Sequence, residues 1–130
     1  QPVKSLKECA KLSCKGVLPI ILPYETCVKA DFKPSWDVTS DTLSAYIAFL
    51  LKAEKLILVK DVDGIYDKER RILKVVSLNW LKKNKSCLDR FFPKIIEKVK
   101  IETYVVNGFH PDRIKKILLN EEALCTMIKL

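Results

Sequence analysis

The sequence contains little histidine and no paired-cysteine motif. His110 is the only histidine among 130 residues, which argues against a histidine-based metal site and against a conventional Ser-His-Asp triad. The five cysteines are odd in number and include no C-x-x-C pair, so neither a disulfide framework nor a zinc knuckle is expected. A reducing compartment, the cytoplasm, is the simplest expectation for such a chain.

Long apolar runs are also missing. Apolar runs such as residues 56–59 end after four or five residues, whereas a membrane-spanning helix needs about 20. Residues 1–4 lack the apolar core of a signal peptide, so neither secretion nor a membrane partner is expected. The chain does not begin with methionine, so Gln1 need not be the natural first residue.

The remaining composition is typical of one globular domain. The chain has a mass of 15.0 kDa, with 48% hydrophobic and 31% charged residues. A folded chain of this size buries roughly two-thirds of the surface that its unfolded form exposes, which is enough for a core of its own. Because no repeat or Pro/Gly/Ser-rich linker divides the sequence, residues 1–130 are expected to form a single unit.

The net charge of +8 has two interpretations. The excess could attract a polyanion, or it could be a solvated lysine surface in which a few positions serve a small phosphate compound. Lysines are spread along the whole chain, and the densest patch, residues 82–85, has no aromatic residues interleaved with it. The sequence therefore favours the second interpretation over a nucleic-acid partner.

Apolar periodicity predicts alternating helices and strands. The predicted helices cover residues 6–14, the segment after Thr39 or Ser40, residues 92–99 and residues 111–118. The predicted strands cover residues 17–22, 56–59, 72–76, 103–106 and 125–130. Residues 29–38 are expected to form a loop. The run 56–59 is typical of a strand covered on both faces. The apolar face of the second helix is expected to comprise Leu43, Tyr46, Ile47, Leu50 and Leu51. This order predicts an α/β fold with a mostly parallel sheet.

Three polar clusters follow the predicted strands or begin a helix. They are Thr-Ser-Asp at 39–41, Lys-Asp-Val-Asp-Gly-Ile-Tyr at 60–66 and Asn-Gly-Phe-His-Pro at 107–111. Each has a purely structural explanation as a helix cap, an Asp-Gly turn or a strand-to-helix loop. Since ligands bind beyond the carboxyl ends of parallel strands, their convergence at one sheet edge predicts a polar site.

Phosphoryl transfer suits such a site. It needs lysines, backbone N–H donors and a carboxylate, and it needs neither a histidine nor a reactive thiol. Lys94 follows Pro93 at the start of a predicted helix, from which it could reach a phosphate. Its alternative interpretation is an exposed lysine on an amphipathic helix.

Several segments resemble the carboxyl-terminal half of the amino acid kinase family. They are G-V-L-P-I-I at 16–21, T-S-D-T-L-S-A at 39–45 and L-I-L-V-K-D-V-D-G-I-Y at 56–66. The segments V-V-N-G at 105–108, with Pro111 following, and C-T at 125–126 continue the match in the family's order. The stretch from 41 to 66 is the specific part, because D-V-D-G-I-Y follows S-D by some twenty residues.

The resemblance implies a three-layer α-β-α fold that transfers the terminal phosphate of ATP, with Mg²⁺, to a small-molecule acceptor. It implies that Asp41 orients the catalytic lysines and that Lys94 contacts the nucleotide phosphates. No residue is assigned as a metal ligand. Lys60 stands where the family commonly has a small hydroxyl residue, and we expect it to contact phosphate itself. The residues implied to line the nucleotide pocket are Asp61, Asp63, Gly64 and Tyr66.

The amino-terminal half of the family carries a Lys-x-Gly-Gly phosphate loop and another catalytic lysine. This chain has three glycines, no two of them adjacent, so that half is expected to be absent from it. Residues 36–41 and 89–94 resemble most closely the branch of the family that acts in methanofuran biosynthesis on an (aminomethyl)furanmethyl phosphate. The alternative is a non-catalytic nucleotide-binding or assembly module of the same fold, in which the uncovered sheet edge self-associates. A homo-oligomer is expected.

Overall fold

A mixed four-stranded sheet lies at the centre of the computed structural model, which describes residues 1–30, 32–33 and 35–130. The strands in these residues are β1 (Pro2–Val3), β2 (Ile20–Ile21), β3 (Lys55–Lys60), β4 (Ile65–Tyr66), β5 (Ile72–Leu73), β6 (Val75–Ser77), β7 (Glu102–Asn107) and β8 (Thr126–Lys129). The central sheet has the order β3-β7-β8-β6, with β3 parallel to β7 and β6 parallel to β8. Strand β8 runs antiparallel to β7. The predicted, mostly parallel sheet is therefore present, with one antiparallel pairing at its centre.

Helices cover both faces of this sheet. The helices of the described chain are α1 (Leu6–Ser13), α2 (Tyr24–Val28), α3 (Ser40–Leu50), α4 (Leu78–Lys83), α5 (Phe92–Val99) and α6 (Pro111–Leu118). Helices α3, α4 and α5 contribute to one buried cluster with β3 and β7, in which Phe92, Ile96 and Val105 are fully buried. Val106 points to the opposite face from Val105 because side chains alternate along a strand, and α6 packs against β7. The result is the predicted three-layer arrangement.

Strand β3 lies at the edge of the central sheet and is covered mainly on one face. Leu56 and Leu58 are buried, whereas Val59 is 54% exposed. The expectation that residues 56–59 are covered on both faces is therefore wrong. Its physical cause is the position of α6, which packs mainly against the neighbouring strand β7 and reaches β3 at Lys55, whose Nζ donates to the Ile117 carbonyl oxygen, so that Val59 at the other end of β3 stays exposed.

The expectation for the apolar face of α3 is also wrong in part. The helix buries Ala45, Ile47 and Ala48 together with Asp41 and Thr42, while Leu50 is exposed. Small side chains let α3 approach β3 and α5 closely, so the closest face carries alanine and polar residues instead of leucine. The predicted helices 6–14, 92–99 and 111–118 correspond to α1, α5 and α6.

The strand predicted over residues 17–22 shortens to the two residues of β2. Strand β2 pairs only with the two-residue strand β1, and Pro19 has no N–H to extend the ladder. The sequence reasoning missed α2, α4 and the β4–β5 hairpin, and it merged β5 and β6 into one strand. Positions 31 and 34 of the predicted loop lie outside the described residues.

In the part of the chain that the structure describes, no helix has both the length and the apolar character to cross a bilayer.

Phe92 makes the core sensitive to truncation. Because its side chain is fully buried, we expect Phe92→Ala to lower the free energy of unfolding by about 3–5 kcal/mol. Phe109 is 81% exposed, so Phe109→Ala should change it by less than about 0.5 kcal/mol. Urea titration followed by circular dichroism measures both, and equal shifts of the two midpoints would contradict the packing described here.

Candidate functional site

An ion pair joins the carboxyl end of β3 to the amino end of α3. Lys60 is the last residue of β3 and Asp41 is the second residue of α3. The Lys60 Nζ lies 2.6 Å from Asp41 Oδ1, and the two side chains are 21% and 7% exposed. Partial burial makes this contact less screened than a surface ion pair. The Lys60 ammonium is therefore fixed at the edge of the sheet where the polar clusters were predicted to meet.

The second oxygen of Asp41 is held by Asp89. The backbone N–H of Asp89 donates to Asp41 Oδ2 at 3.1 Å. The Asp89 carboxylate in turn accepts the backbone N–H and hydroxyl groups of both Thr39 and Thr42, at 2.6–3.0 Å, and the Phe92 N–H at 2.8 Å. Both oxygens of Asp41 and both oxygens of Asp89 thus have partners.

These contacts also set the protonation state of Asp89. Partial burial raises the pKa of its carboxyl group, yet the hydrogen bonds from Thr42 and Thr39 outweigh burial and hold the pKa below its ordinary value of 3.8. Asp89 is consequently an anion at neutral pH, next to the N–H groups at the ends of α3 and α5. Negative charge at a helix amino end is favourable because the backbone dipoles present positive charge there.

A second cluster forms around Asp63 at the adjacent strand end. Asn107 Nδ2 donates to Asp63 Oδ1 at 3.0 Å, and the Arg113 guanidinium on α6 donates to the same oxygen. The hydrogen bonds from Arg113 and Asn107 lower the pKa of Asp63. Lys60 and Asn107 are register partners in β3 and β7, so Asp41 and Asp63 contact neighbouring strand ends at the same edge.

The other residues predicted for the nucleotide pocket lie on the segment that follows β3. Asp61 and Tyr66 are exposed, and Gly64 is buried. A methyl group at Gly64 would overlap the Thr126 hydroxyl, which accepts the Ile65 N–H at 2.8 Å. The packing of this hairpin against β8 therefore accounts for glycine at position 64.

Lys94 lies on the wall of a cleft of about 800 Å³. Its Nζ is 5.6 Å from the centre of the Phe91 ring, within cation–π distance. No hydrogen bond or ion pair joins it to Asp41 among the described residues. The cleft is lined by α4, the segment 84–90 and the first turns of α5, and Asp89 forms part of its wall. Asp89 thus contacts Asp41 on one side and faces the Lys94 cleft on the other.

The cleft carries an excess of positive charge. Five cationic side chains line it, against the carboxylates of Asp89 and Glu97. Glu97 is paired with Lys82 at 2.6 Å, and Asp89 is engaged by its hydrogen bonds. The remaining cations are Lys83, Lys85, Arg90 and Lys94. This arrangement suits a small anion such as a phosphate group.

Comparison with known proteins shows which protein family has this arrangement. Residues 3–107 match the amino acid kinase family. The chain belongs to the amino acid kinase family. This match covers the Asp41–Lys60 pair, Lys94 and the β3–β7 sheet edge, and it confirms the resemblance noted in the sequence.

Individual members of the amino acid kinase family are similar over most of the chain. The [5-(aminomethyl)furan-3-yl]methyl phosphate kinase of Methanocaldococcus jannaschii is 38% identical over 117 residues, which are 88% of this chain and 54% of that protein. The acetylglutamate kinase of Endomicrobium trichonymphae is 33% identical over 118 residues, 83% of this chain and 46% of that protein. The chain spans about half the length of these curated relatives.

The solved structures agree on the fold. The uridylate kinase from Archaeoglobus fulgidus matches 99% of this chain and 60% of its own, with a TM-score of 0.71 and 25% sequence identity. The amino acid kinase fold expected from the sequence is therefore the fold of this chain.

Asp89 and Arg113 are site residues that the sequence reasoning missed, and for Asp89 the sequence held a clue. A signal was available, because aspartate three residues before the helix residue Phe92 is a frequent capping pattern. Its contacts with Thr39 and Thr42 span 50 and 47 residues of sequence, and no local pattern indicates them.

Burial should make the Asp41–Lys60 pair energetically coupled. In a double-mutant cycle of Asp41→Asn and Lys60→Met, we expect a coupling energy of about 1–3 kcal/mol. The Lys82–Glu97 pair has the same 2.6 Å separation, but its side chains are 37% and 53% exposed. Its cycle, with Lys82→Met and Glu97→Gln, should give about 0.2–1 kcal/mol in the same urea titrations. Equal coupling energies would show that burial does not strengthen the Asp41–Lys60 contact.

Asp89 should also make stability depend on pH. A group whose pKa is lower in the folded state stabilises the protein above its unfolded pKa, and this contribution disappears as the pH falls through the folded pKa. Since the pKa of Asp89 lies below 3.8, we expect Asp89→Asn to reduce the loss of stability between about pH 5 and about pH 2.5. Urea midpoints across this range measure the effect. Glu122→Gln, at a side chain 90% exposed, is the control and should leave the pH profile unchanged.

Proposed function

We propose that this chain is the nucleotide-binding unit of an ATP-dependent phosphotransferase that phosphorylates a small molecule. Membership of the amino acid kinase family supports a kinase. The observation that carries the proposal is the Lys60 ammonium held 2.6 Å from Asp41 where β3 ends and α3 begins. An ammonium group has three N–H donors, so Lys60 keeps donors for a phosphate oxygen while it contacts Asp41.

In this proposal two lysines neutralise the negative charge of the transferred phosphoryl group and of the other nucleotide phosphates. Lys60 contacts the phosphate group at the sheet edge, and Lys94 contacts the remaining nucleotide phosphates from the basic cleft. Asp41 holds Lys60 in place, which is the orienting role that the family resemblance gave it. Positioning and cationic neutralisation are the main requirements of phosphoryl transfer.

The nucleoside part of ATP is proposed to lie along the segment after β3. Asp61 and Tyr66 are exposed there and accessible to a ligand. Asp63 acts through its contacts with Asn107 and Arg113, which fix the path of this segment. Gly64 keeps the hairpin against Thr126, and so it positions the pocket through packing.

Mg²⁺ fits this site as an ion carried by the nucleotide. Among the described residues, no group of three or more histidine, cysteine, aspartate or glutamate side chains is placed to hold a metal ion. Mg²⁺ in kinases is commonly held by substrate phosphates with one or two carboxylates, and the exposed Asp61 carboxylate would serve as one. The ion would supply charge neutralisation at the phosphate oxygens.

The acceptor is proposed to be a small phosphate ester of the same chemical class as [5-(aminomethyl)furan-3-yl]methyl phosphate. The support is the 38% identity to the kinase named for that compound over 88% of this chain. In the reaction, an oxygen of the acceptor phosphate forms a bond to the terminal phosphorus of ATP. The bond from that phosphorus to the bridging oxygen breaks, ADP leaves, and a diphosphate ester results.

A non-catalytic assembly module is the second candidate. Strand β3 lies at the edge of the central sheet, so another strand could add to its backbone N–H and C=O groups. A homo-oligomer formed through β3 is proposed on the same observation.

Lysine variants test the proposed nucleotide site. We expect Lys60→Met and Lys94→Met each to weaken ATP binding, in the presence of Mg²⁺, by roughly 10- to 100-fold, because each removes a charge-assisted hydrogen bond to phosphate. Lys98→Met, at an exposed position of the same helix α5, is the matched control and should change affinity less than about two-fold.

Isothermal titration of the protein with ATP measures these affinities, and ³¹P NMR detects the phosphorylated acceptor. ATP affinities of the Lys60 and Lys94 variants that equal the affinity of the Lys98 variant would refute the assignment. ATP binding without transfer to any phosphate ester by the full-length protein would favour the second candidate.

A further inference from the structure

Two helices that carry proposed site residues lack a cap of their own. The N-cap residues of α3 and α5 are Thr39 and Phe91, and neither side chain caps its own helix. By contrast, Ser5 caps α1 and Ser77 caps α4 through hydrogen bonds of 3.2 Å to backbone N–H groups. The amino end of α3 therefore depends on a group that is distant in sequence, and the amino end of α5 depends on a residue that precedes its N-cap.

Asp89 supplies that group to both helices. Its Oδ2 accepts the Thr42 N–H, in the first turn of α3, at 2.9 Å. Its Oδ1 accepts the N–H of Phe92, the first residue of α5, at 2.8 Å. The hydroxyl groups of Thr39 and Thr42 donate to the two oxygens and fix the orientation of the carboxylate. One carboxylate thus joins two helix ends.

The same residue contacts the proposed reaction centre through its backbone. The Asp89 N–H donates to Asp41 Oδ2, and Asp41 Oδ1 contacts Lys60. Lys94 lies two residues beyond Phe92, in the first turn of the helix that Asp89 caps. The distance between the Lys60 and Lys94 ammonium groups therefore depends on Asp89.

We infer that Asp89 is a positioning residue that fixes the Asp41–Lys60 pair relative to Lys94, an inference that rests on the proposed function. It contacts neither ATP nor the acceptor in this scheme. Replacing its carboxylate frees the ends of α3 and α5 to move independently. Misplacement of reacting groups by about 1 Å can lower a rate by about 100-fold, so the effect falls on the transfer step more than on nucleotide binding.

The test compares Asp89→Asn with the wild type and with Ser77→Ala, which removes a local cap from α4. An asparagine side chain presents N–H donors in place of one carboxylate oxygen and loses the cap of one helix. We expect kcat for phosphoryl transfer by the full-length protein to fall about 100-fold while KM for ATP changes less than about three-fold. Ser77→Ala should change kcat less than two-fold. Asp89→Glu, which retains the carboxylate, should recover part of the rate.

Thr42→Val provides a second variant in case Asp89→Asn fails to fold. It keeps the volume of a fully buried side chain and removes only the hydroxyl donor at 2.6 Å. We expect a smaller fall in kcat, again with little change in KM. A fall in kcat for the Asp89 or Thr42 variant no greater than that of Ser77→Ala would overturn the inference.

Amide hydrogen exchange gives a readout that does not require activity. In Asp89→Ala, which removes both acceptor oxygens, exchange at both Thr42 and Phe92 should accelerate together, whereas Ser77→Ala should accelerate exchange at Trp80 alone. Acceleration at only one of the two helix ends would overturn the coupling. If the wild type does not bind ATP, the proposed function fails, and exchange still decides whether Asp89 joins α3 to α5.

Discussion

The site depends on two carboxylates at the end of a sheet, those of Asp41 and Asp89, whose oxygens all have hydrogen-bond or ion-pair partners. Asp41 is 5% exposed, and an isolated charge at that depth would be strongly unfavourable. Lys60 supplies the opposite charge to Asp41, and the Asp89 N–H satisfies the other oxygen. The Asp89 carboxylate is satisfied by donors from Thr39, Thr42 and Phe92. The positions of α3, α5 and the end of β3 all follow from this single network.

The fold explains why the network lies where it does. Strands β3 and β7 are parallel and in register, so Lys60 and Asn107 end the two strands side by side. Helix α3 precedes β3 and packs against it with alanines, which brings its amino end to the same edge. Asp41 and Asp63 are thereby placed at neighbouring strand ends. The amino acid kinase fold of this chain thus gathers charged residues from three separate segments.

Local patterns predicted the parts of the structure that depend on local physics. The apolar run 56–59 gave β3, and Pro93 with the spacing of Ile95, Ile96 and Val99 gave α5. The buried face of α3 could not be predicted from hydrophobicity, because close packing selected Ala45 and Ala48. The order of helix and strand predicted that the segments containing Asp41 and Lys60 meet at one sheet edge, but it did not predict their ion pair. The role of Asp89 could not be predicted, because its partners are distant in sequence.

The long span of the Asp89 contacts has a consequence for how the molecule is assembled. The residues that it joins, 39–42 and 89–92, are separated by a segment that contains β3, β4, β5, β6 and α4. Closing a loop of that length costs chain entropy before any contact compensates it. Contacts of such high sequence separation form slowly compared with a local helix turn. In a nascent chain, β3 to β6 and α4 are therefore all synthesised before the first turn of α3 gains its anchor, whereas β7 and β8 follow it.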